Sequence, residues 1–572
     1  AVGPEKEEAE GETLAGGKLH GAHGAGVCEG RSVGTIPLFA APAEFRIAPT
    51  PDWRRLAPSL TNPIALMHFG VDYYPEHWVY PHAGTPDNPE ARWRQDVAMM
   101  VDAGVNVVRM GEFAWGLYER EEGKFDFSWM RRMMDLLGEA GIKVVLGTPT
   151  AAPPPWMARK YPEILPVDRQ GLRLYEGTRR AVCLNNNLFR DKCDQVVRQL
   201  AKALGKHPQL IAWQIDNGLG GHGTEFSFNE ETREDWVQWL ELKYETLERL
   251  NEMHGNRFWG QIVTEWDQVP MPRRAPTVHN PALLMDWMRF SSDSIVAFAR
   301  MQSRILKEIT PNVPVTQNLR AMTRNFDHFD MAEVLDFVSV DSNATISNRV
   351  AENACYIDMM RSMKKQNIRA PGDNHLGFWV MEHKAGNVDW GEVNSLVRPG
   401  VVRLFSYQWI SRGADGLLYF LWRQPRIGSE KFYGGVLTHD GRADGRVYQE
   451  VKQIGHELEM LAPVLKGTRV VADVAILVSP ENDWNMRHVP QPNRHFNQRE
   501  HIQLFYSAFH ARNIPVDFVR PTEDLSRYKV GASRASFPSG RASPARVRRG
   551  RVGAGERGGA ERKWRGPQPC RG

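Results

Sequence analysis

Eight short apolar runs recur between residues 67 and 420, and the stretches that separate them carry helical rather than extended patterning. The runs are Met67–Tyr74, Val105–Met110, Lys143–Thr148, Ile211–Ile215, Val315–Asn318, Phe337–Val340, Gly377–Met381 and Gly416–Phe420. Their short length and their Val, Ile and aromatic content predict buried strands. Helices are predicted near Ala91–Ala103, at Trp129–Ala140, Leu188–Gly205, Glu231–His254, Leu283–Ile309 and Tyr448–Leu461. In the second of these, Met130, Met133, Met134, Leu136 and Leu137 fill one broad apolar side, as a helix packed on a sheet requires. Strands that alternate with helices need crossovers outside a parallel sheet, so the pattern predicts an α/β fold with a closed (β/α)8 TIM barrel.

A second α/β pattern opens beyond Gly467, with strands at Val470–Val478 and Val516–Val519 around a helix at His501–Arg512. It stops where the composition collapses near Val530, before the remaining strands of a full domain. The expected organisation is therefore an irregular extension over 1–66, a barrel over 67–466, a partial α/β domain over 467–530 and a disordered Arg/Gly-rich tail over 531–572. A half-domain leaves an apolar face bare, so this part is expected to be weakly stable or prone to associate. Met67, at the first convincing strand, is the expected natural start.

Charge changes the picture only at the end. The chain of 572 residues carries +4, but 531–572 holds ten Arg and one Lys against two Glu, so the tail carries +9 and the rest −5. Arg, Gly, Ala, Ser and Pro repeat there without pattern, which predicts disorder rather than a nucleic-acid site. At 42% hydrophobic and 24% charged the whole is an ordinary globular composition. No apolar run approaches the roughly 20 residues that span a bilayer, and the acidic start is unlike a secretory signal, so no membrane partner and a cytoplasmic location are expected. Five cysteines without a C-x-x-C pair predict free thiols rather than a disulfide framework or a zinc site, and no cofactor is expected.

In a parallel barrel the loops after the strands build the active site. Polar residues at those ends are Arg109 and Glu112, Asp216 and Asn217, Asp341, Glu382 and Arg423, among Trp115, Trp213, Trp259, Trp379, Trp390 and Trp422. Carboxylates, amides and guanidiniums beside flat aromatics suit a sugar, whose hydroxyls need bidentate partners and whose C–H faces pack on rings. Glu382 follows Phe378-Trp379-Val380-Met381 without a break, which aims it from a buried strand into the mouth; the plain alternative is a structural pair with a barrel arginine. Asn217-Gly218 on its own reads as a turn.

The segments Phe69–Trp78, Met110–Trp115, Gly147–Thr150, Trp213–Asn217, Phe378–Glu382 and Tyr419–Gln424, in this order, resemble the signature stretches of glycoside hydrolase family 42 β-galactosidases. The resemblance runs from about Met67 to Lys529. It implies a barrel followed by a flavodoxin-like trimerisation domain, hence a possible homotrimer, and retaining hydrolysis of terminal non-reducing β-D-galactosides. It implies that Glu382 is the nucleophile, and that Arg179, Asn217, Trp259, Trp390, Phe420 and Glu430 surround the galactosyl unit. Core packing remains an equal reading of Trp259 and Phe420, and a solvated basic pair with Arg180 an equal reading of Arg179.

Three departures stand out. The family's acid/base glutamate is replaced by Gly218, the cysteines that commonly hold a structural zinc are missing from 221–229, and Asn343-Ala344 and Tyr433 stand where many relatives have Tyr-Pro and histidine. Glycine supplies neither proton nor base, so slow turnover of lactose is expected, with aryl galactosides still loading Glu382 and azide hastening release. The competing readings are a non-catalytic galactoside-binding protein, a β-fucosidase or α-L-arabinopyranosidase, and, last, a nucleic-acid binder acting through the tail.

Overall fold

The computed structural model describes residues 67–320, 324–342, 350–364, 377–387, 394, 396–465, 468–493, 495 and 497–532. The N-terminal extension, nearly all of the Arg-rich tail, Trp390 and Asn343-Ala344 lie outside the described residues.

The barrel strands are β1 His68–Asp72, β2 Val107–Met110, β3 Lys143–Gly147, β4 Leu210–Gln214, β5 in two pieces at Val315–Thr316 and Asn318–Leu319, β6 Val338–Ser342, β7 Phe378–Lys384 and β8 Ala414–Phe420. All neighbouring pairs are parallel, from β4 through β3, β2 and β1 to β8, β7 and β6. The first piece of β5 pairs with β4 and the second with β6, so a single chain segment joins the two ends of the sheet and closes it. The TIM barrel read from the apolar runs is the observed fold.

Alternation along the strands sorts their side chains between two cores. Val107, Val145, Ala212, Phe337, Trp379, Met381 and Leu418 pack together in one cluster, and Arg109, Gln214 and Phe420 lie two residues beyond the β2, β4 and β8 members, on the same face and nearer the C-terminal rim. That cluster fills the barrel interior beneath the site. The opposite face meets the helices: Met130, Met133, Met134 and Leu137 of the helix Ser128–Glu139 are fully buried. Asn186 caps the helix Asn187–Leu204 by accepting from the Phe189 amide.

Two predicted elements differ in detail. The stretch expected as one helix over 231–254 is two, Glu230–Tyr244 and Leu247–His254, because Glu245 turns to φ +65° and Thr246 begins a new cap. Strand β7 runs on past Met381 to Lys384, so Glu382 lies within the strand; the register against β6 shifts between Val380 and Glu382. That irregularity re-aims side chains at the barrel rim.

Beyond the barrel, β9 Val474–Leu477 lies between β10 Val516–Val519 and β11 Val530–Ala532, all parallel. This order, with the first strand central, is how a flavodoxin-like sheet begins. The strand β11 and the helix Pro480–His488 are absent from the sequence reading; the helix is polar, and β11 is three residues long and sits where the composition changes. One face of this sheet is not bare. Ala354 and Cys355 on the barrel helix Val350–Ser362 share a buried cluster with Val474, Ile476, Val516, Phe518 and Tyr506. Arg361 Nη1 meets Asp517 Oδ1 at 2.8 Å, and Tyr506 donates to Asp358 at 2.5 Å. Each large apolar side chain so buried contributes roughly 1.5–3 kcal/mol. Cys183, Cys193 and Cys355 are free and buried. No helix of the described residues is long and apolar enough to cross a membrane.

Candidate active site

The rim of the barrel is organised by one guanidinium. Arg109, fully buried at the end of β2, places Nε 3.0 Å from Asp72 Oδ1, Nη2 2.6 Å from Glu112 Oε1 and Nη1 2.9 Å from Glu382 Oε1. Its Nη2 also donates to Tyr74 Oη at 3.2 Å and its Nη1 to Gln214 Oε1 at 3.3 Å. With Asp341 paired to Glu382 in the register, four carboxyl groups gather around one cation. They cannot all ionise cheaply. Burial, reinforced by the Glu382 charge, pushes Asp341 well above the usual carboxylate range, and burial does the same to Asp72 despite the opposing pull of Arg109. Burial therefore makes both groups weaker acids than an ordinary carboxyl.

Glu382 is held from three directions by one oxygen. Besides Arg109, Asn217 Nδ2 donates to its Oε1 at 3.2 Å and Asn318 Nδ2 at 3.4 Å. The Asn318 amide also donates to Asp341 Oδ2 at 2.8 Å. Among the described residues no donor is hydrogen-bonded to Oε2, and the side chain keeps 15% exposure, so one carboxylate oxygen is fixed and the other is uncommitted. A fixed carboxylate with one uncommitted oxygen is a suitable nucleophile.

Nearby, Tyr74, Phe420 and Tyr433 pack in one buried aromatic cluster, with Phe113 against it. Arg179 lies over the Phe113 ring at 5.2 Å and donates to Asn217 Oδ1 at 3.4 Å. The adjacent Arg180 does something else: it is buried and ion-paired with Asp216, whose other oxygen accepts from Thr150 at 2.5 Å. The basic pair thus splits into one site residue and one structural one. Glu430 is half-buried, and its carboxyl is pushed up to about 7, mainly by burial and further by Glu382 and Glu112 against the pull of Arg179. Gly218, next to Asn217, is buried at φ +71°.

Of the residues singled out in the sequence, Arg179 and Asn217 connect to Glu382, Gly218 follows Asn217, Glu430 is within electrostatic reach of Arg179 and Glu382, and Phe420 lies in the aromatic cluster. Trp259 does not join them within one chain: it is 60% exposed at φ +57° and stacks on Phe258 with ring centroids 5.5 Å apart. Trp115, Trp213, Trp379 and Trp422 are core residues. Arg423 turns to Asp96 on the helix Ala91–Asp102 and packs over Trp78. Asp72, Tyr74, Phe113, Gln214 and Asn318 escaped the sequence reading, although each sits at or just past a strand end. Among the described residues no group of three His, Cys, Asp or Glu side chains is placed to hold a metal ion.

A family model described as "Beta-galactosidase", of the glycoside hydrolase family 42 type, matches residues 72–461. The chain belongs to the β-galactosidases of glycoside hydrolase family 42. A second model, "Beta-galactosidase trimerisation domain", matches residues 472–530. The chain is similar to β-galactosidase bgaB of Geobacillus kaustophilus, 36% identical over 470 residues that cover 82% of this chain and 67% of that one. It is equally similar to β-galactosidase LacZ of Heyndrickxia coagulans, 36% identical over 472 residues and covering 82% and 68%. Among solved structures, the cold-adapted β-galactosidase from Rahnella sp. R3 aligns at a TM-score of 0.76 and 34% identity, over 83% of this chain and 68% of that one. As a family 42 member the chain is a glycoside hydrolase.

Proposed function

We propose that the chain acts on terminal non-reducing β-D-galactosides by a retaining mechanism, with Glu382 as the nucleophile and with impaired proton transfer at Gly218. The supporting observation is the three-donor clamp on Glu382 Oε1, which leaves Oε2 uncommitted in a side chain that keeps 15% exposure. Oε2 attacks the anomeric carbon, the aglycone departs with the bonding pair, and water later displaces the carboxylate from the covalent intermediate. Arg179, Asn217, Phe420 and Glu430 are the galactosyl contacts, with Asn217 placed to bridge Glu382 and the sugar's 2-hydroxyl. Trp390 and Trp259 belong to this set by resemblance. The trimerisation-domain match supports a homotrimer, and the exposed Phe258–Trp259 pair is the kind of aromatic surface that an assembly buries.

A retaining enzyme needs two carboxyls about 5–5.5 Å apart, one of them to shuttle the proton. Asp216 is tied to Arg180 and Thr150 and does not stand in. Without the acid/base, assistance of roughly 10²- to 10⁴-fold is missing, mostly for poor leaving groups such as a sugar hydroxyl. Trapping with 2,4-dinitrophenyl 2-deoxy-2-fluoro-β-galactoside tests the assignment. Peptide mass analysis is expected to find one fluorogalactosyl adduct, on Glu382. An adduct elsewhere, or none from a chain that still binds galactose, rejects the nucleophile and favours a galactoside-binding protein.

A further inference from the structure

The partial domain grips one short segment of the barrel rim. Its helix Pro480–His488 carries Trp484, buried in a cluster with Met285 and Met288, and Trp484 Nε1 donates to the Arg324 carbonyl at 2.6 Å. That nitrogen is the ring's single polar atom, and in apolar surroundings it needs an acceptor. Asp483, the preceding residue, meets the Arg324 guanidinium at 3.4 Å. Arg520, just past β10, reaches the far end of the same segment, 2.8 Å from Asp327 and 2.6 Å from Asp330, and lies over the Phe329 ring. Residues 324–330 are thus held at both ends by the partial domain.

The segment in turn holds the loop after β4. Asn325 Nδ2 donates to the Gly220 carbonyl at 3.1 Å. The buried Phe326 ring covers Gly220 so closely that a Cβ there would stand 2.5 Å from Cδ1. The Gly221 amide closes the turn on the Gly218 carbonyl at 3.2 Å, and Gly220 lies three residues beyond Asn217, the donor to Glu382 Oε1. A turn with glycine at 218, 220 and 221 has many backbone states of its own, and each glycine loses more freedom on ordering than any other residue. Contacts from outside the turn therefore select the state observed, and Asn325 and Phe326 supply them.

We propose that Trp484 and Asn325 are positioning residues: through residues 324–330 the partial domain sets the turn at 217–221, and with it the placement of Asn217 against Glu382 and the sugar. The domain then serves the active site of its own chain, apart from any part in assembly. The catalytic half of this inference rests on the function proposed above; the mechanical half stands on the contacts alone. A site amide has to be held within about 0.5 Å of its productive place. A contact to the 2-hydroxyl tightens in the transition state, so a displaced Asn217 lowers the rate on a substrate that has this hydroxyl more than on one that lacks it.

Hydrogen exchange and substrate loading on the full chain test the two halves. Trp484→Phe keeps a ring in the cluster and removes the N–H; Asn325→Ala removes the donor to Gly220. Without sugar, amide exchange in a peptide spanning 216–224 is expected to quicken in each variant by about two- to tenfold, the net contribution of one hydrogen bond. The double variant is expected to exchange no faster than the quicker single one, because the two contacts act in series. Loading is read as the burst of nitrophenol from 4-nitrophenyl β-galactoside and from its 2-deoxy analogue. The ratio of the two rates is expected to fall by a similar factor in both variants, whereas a merely structural loss lowers both rates and keeps the ratio. Glu481→Gln weakens the pair with Arg289 on the same helix, at 2.8 and 3.0 Å, and is expected to lower the melting temperature without changing the ratio. Unchanged exchange in both variants overturns the path, and an equal fall of the ratio in Glu481→Gln overturns it as general loosening. Faster exchange with an unchanged ratio, in a chain that labels at Glu382, overturns the positioning role. Faster exchange in a chain that fails to label at Glu382 upholds the mechanical path and removes the galactosidase reading instead.

Discussion

The two sides of the barrel mouth are built in opposite ways. On the Glu382 side, a strand carries the carboxylate, and a buried guanidinium and two amides fix one of its oxygens at 2.9, 3.2 and 3.4 Å. On the Gly218 side, the acid of the loop, Asp216, is tied to Arg180 and Thr150, and Asp216, Gly218, Gly220, His222 and Gly223 all adopt positive φ. The first arrangement positions a group for attack in advance, which is where much of catalysis resides. The second has positive charge, from Arg179, Arg180 and Arg320 around His222, and no carboxyl at position 218. On the function proposed above, the contrast is between a nucleophile held in working geometry and a position that lacks the partner ordinary substrates need.

The comparison breaks most completely at Glu382. Glu382→Gln is expected to lower turnover of activated aryl galactosides by on the order of 10⁴-fold or more, while galactose binding by calorimetry persists. A loss under about tenfold would move the nucleophile elsewhere. Arg109→Met comes next, because it leaves Asp72, Glu112, Glu382 and Asp341 facing one another. Breaking a buried ion pair from one side costs about 3–5 kcal/mol. A denaturant titration is expected to show that loss at pH 7. Because burial raises Asp72 and Asp341, the deficit should shrink as the pH falls and these carboxyls take up protons.

Gly218→Glu sharpens the other side. Lactose turnover is expected to rise by roughly 10²-fold, toward the lower end of general acid–base assistance. Restoration is incomplete because φ +71° strains any side chain there and the new Cβ meets His222 at 3.1 Å. Adding His222→Gly to Gly218→Glu should therefore raise lactose turnover further; a double variant no better than the single one would separate His222 from the lost function. The smallest effect belongs to Glu430. Its carboxyl, raised to about 7, is an ionised acceptor for sugar hydroxyls above that pH and is protonated below it. KM for an aryl galactoside is expected to rise a few-fold, about the worth of one charged hydrogen bond partly lost, between pH 8 and pH 6. Glu430→Gln should flatten that profile.

Much of this is legible in the sequence, for reasons that differ by region. The barrel shows through because each strand is buried on both faces and reads as an unbroken apolar run, and the helix Ser128–Glu139 shows because its methionines and leucines keep one side. The hairpin Glu119–Glu121 with Lys124–Phe125 does not show, being too short and too charged to carry a period. Nor does the break of β5 at Gln317, which the pattern of Val315–Asn318 hides. In the site, Glu382 and Asn217 are readable as residues at strand ends and from the family segments, and Arg179 from the family resemblance alone. The aromatic cluster is not, because tryptophans draw attention by their size, while four of those at strand ends serve as core and the cluster is built from Tyr74, Phe113, Phe420 and Tyr433. The arginine field around Gly218 depends on Arg320, which reaches across from the end of β5. No spacing within the chain announces that meeting.

The central claim is an intact nucleophile facing an absent acid, and the dependence of rate on leaving group tests it most directly. Pre-steady-state release of phenols from a series of aryl β-galactosides, from dinitrophenyl to unsubstituted phenyl, measures the first chemical step on the chain as it stands. The account predicts that this rate falls steeply as the phenol becomes a poorer leaving group, with lactose slowest of all. A flat series, with lactose cleaved as fast as the dinitrophenyl galactoside, would contradict it and require a proton donor opposite Glu382 despite Gly218.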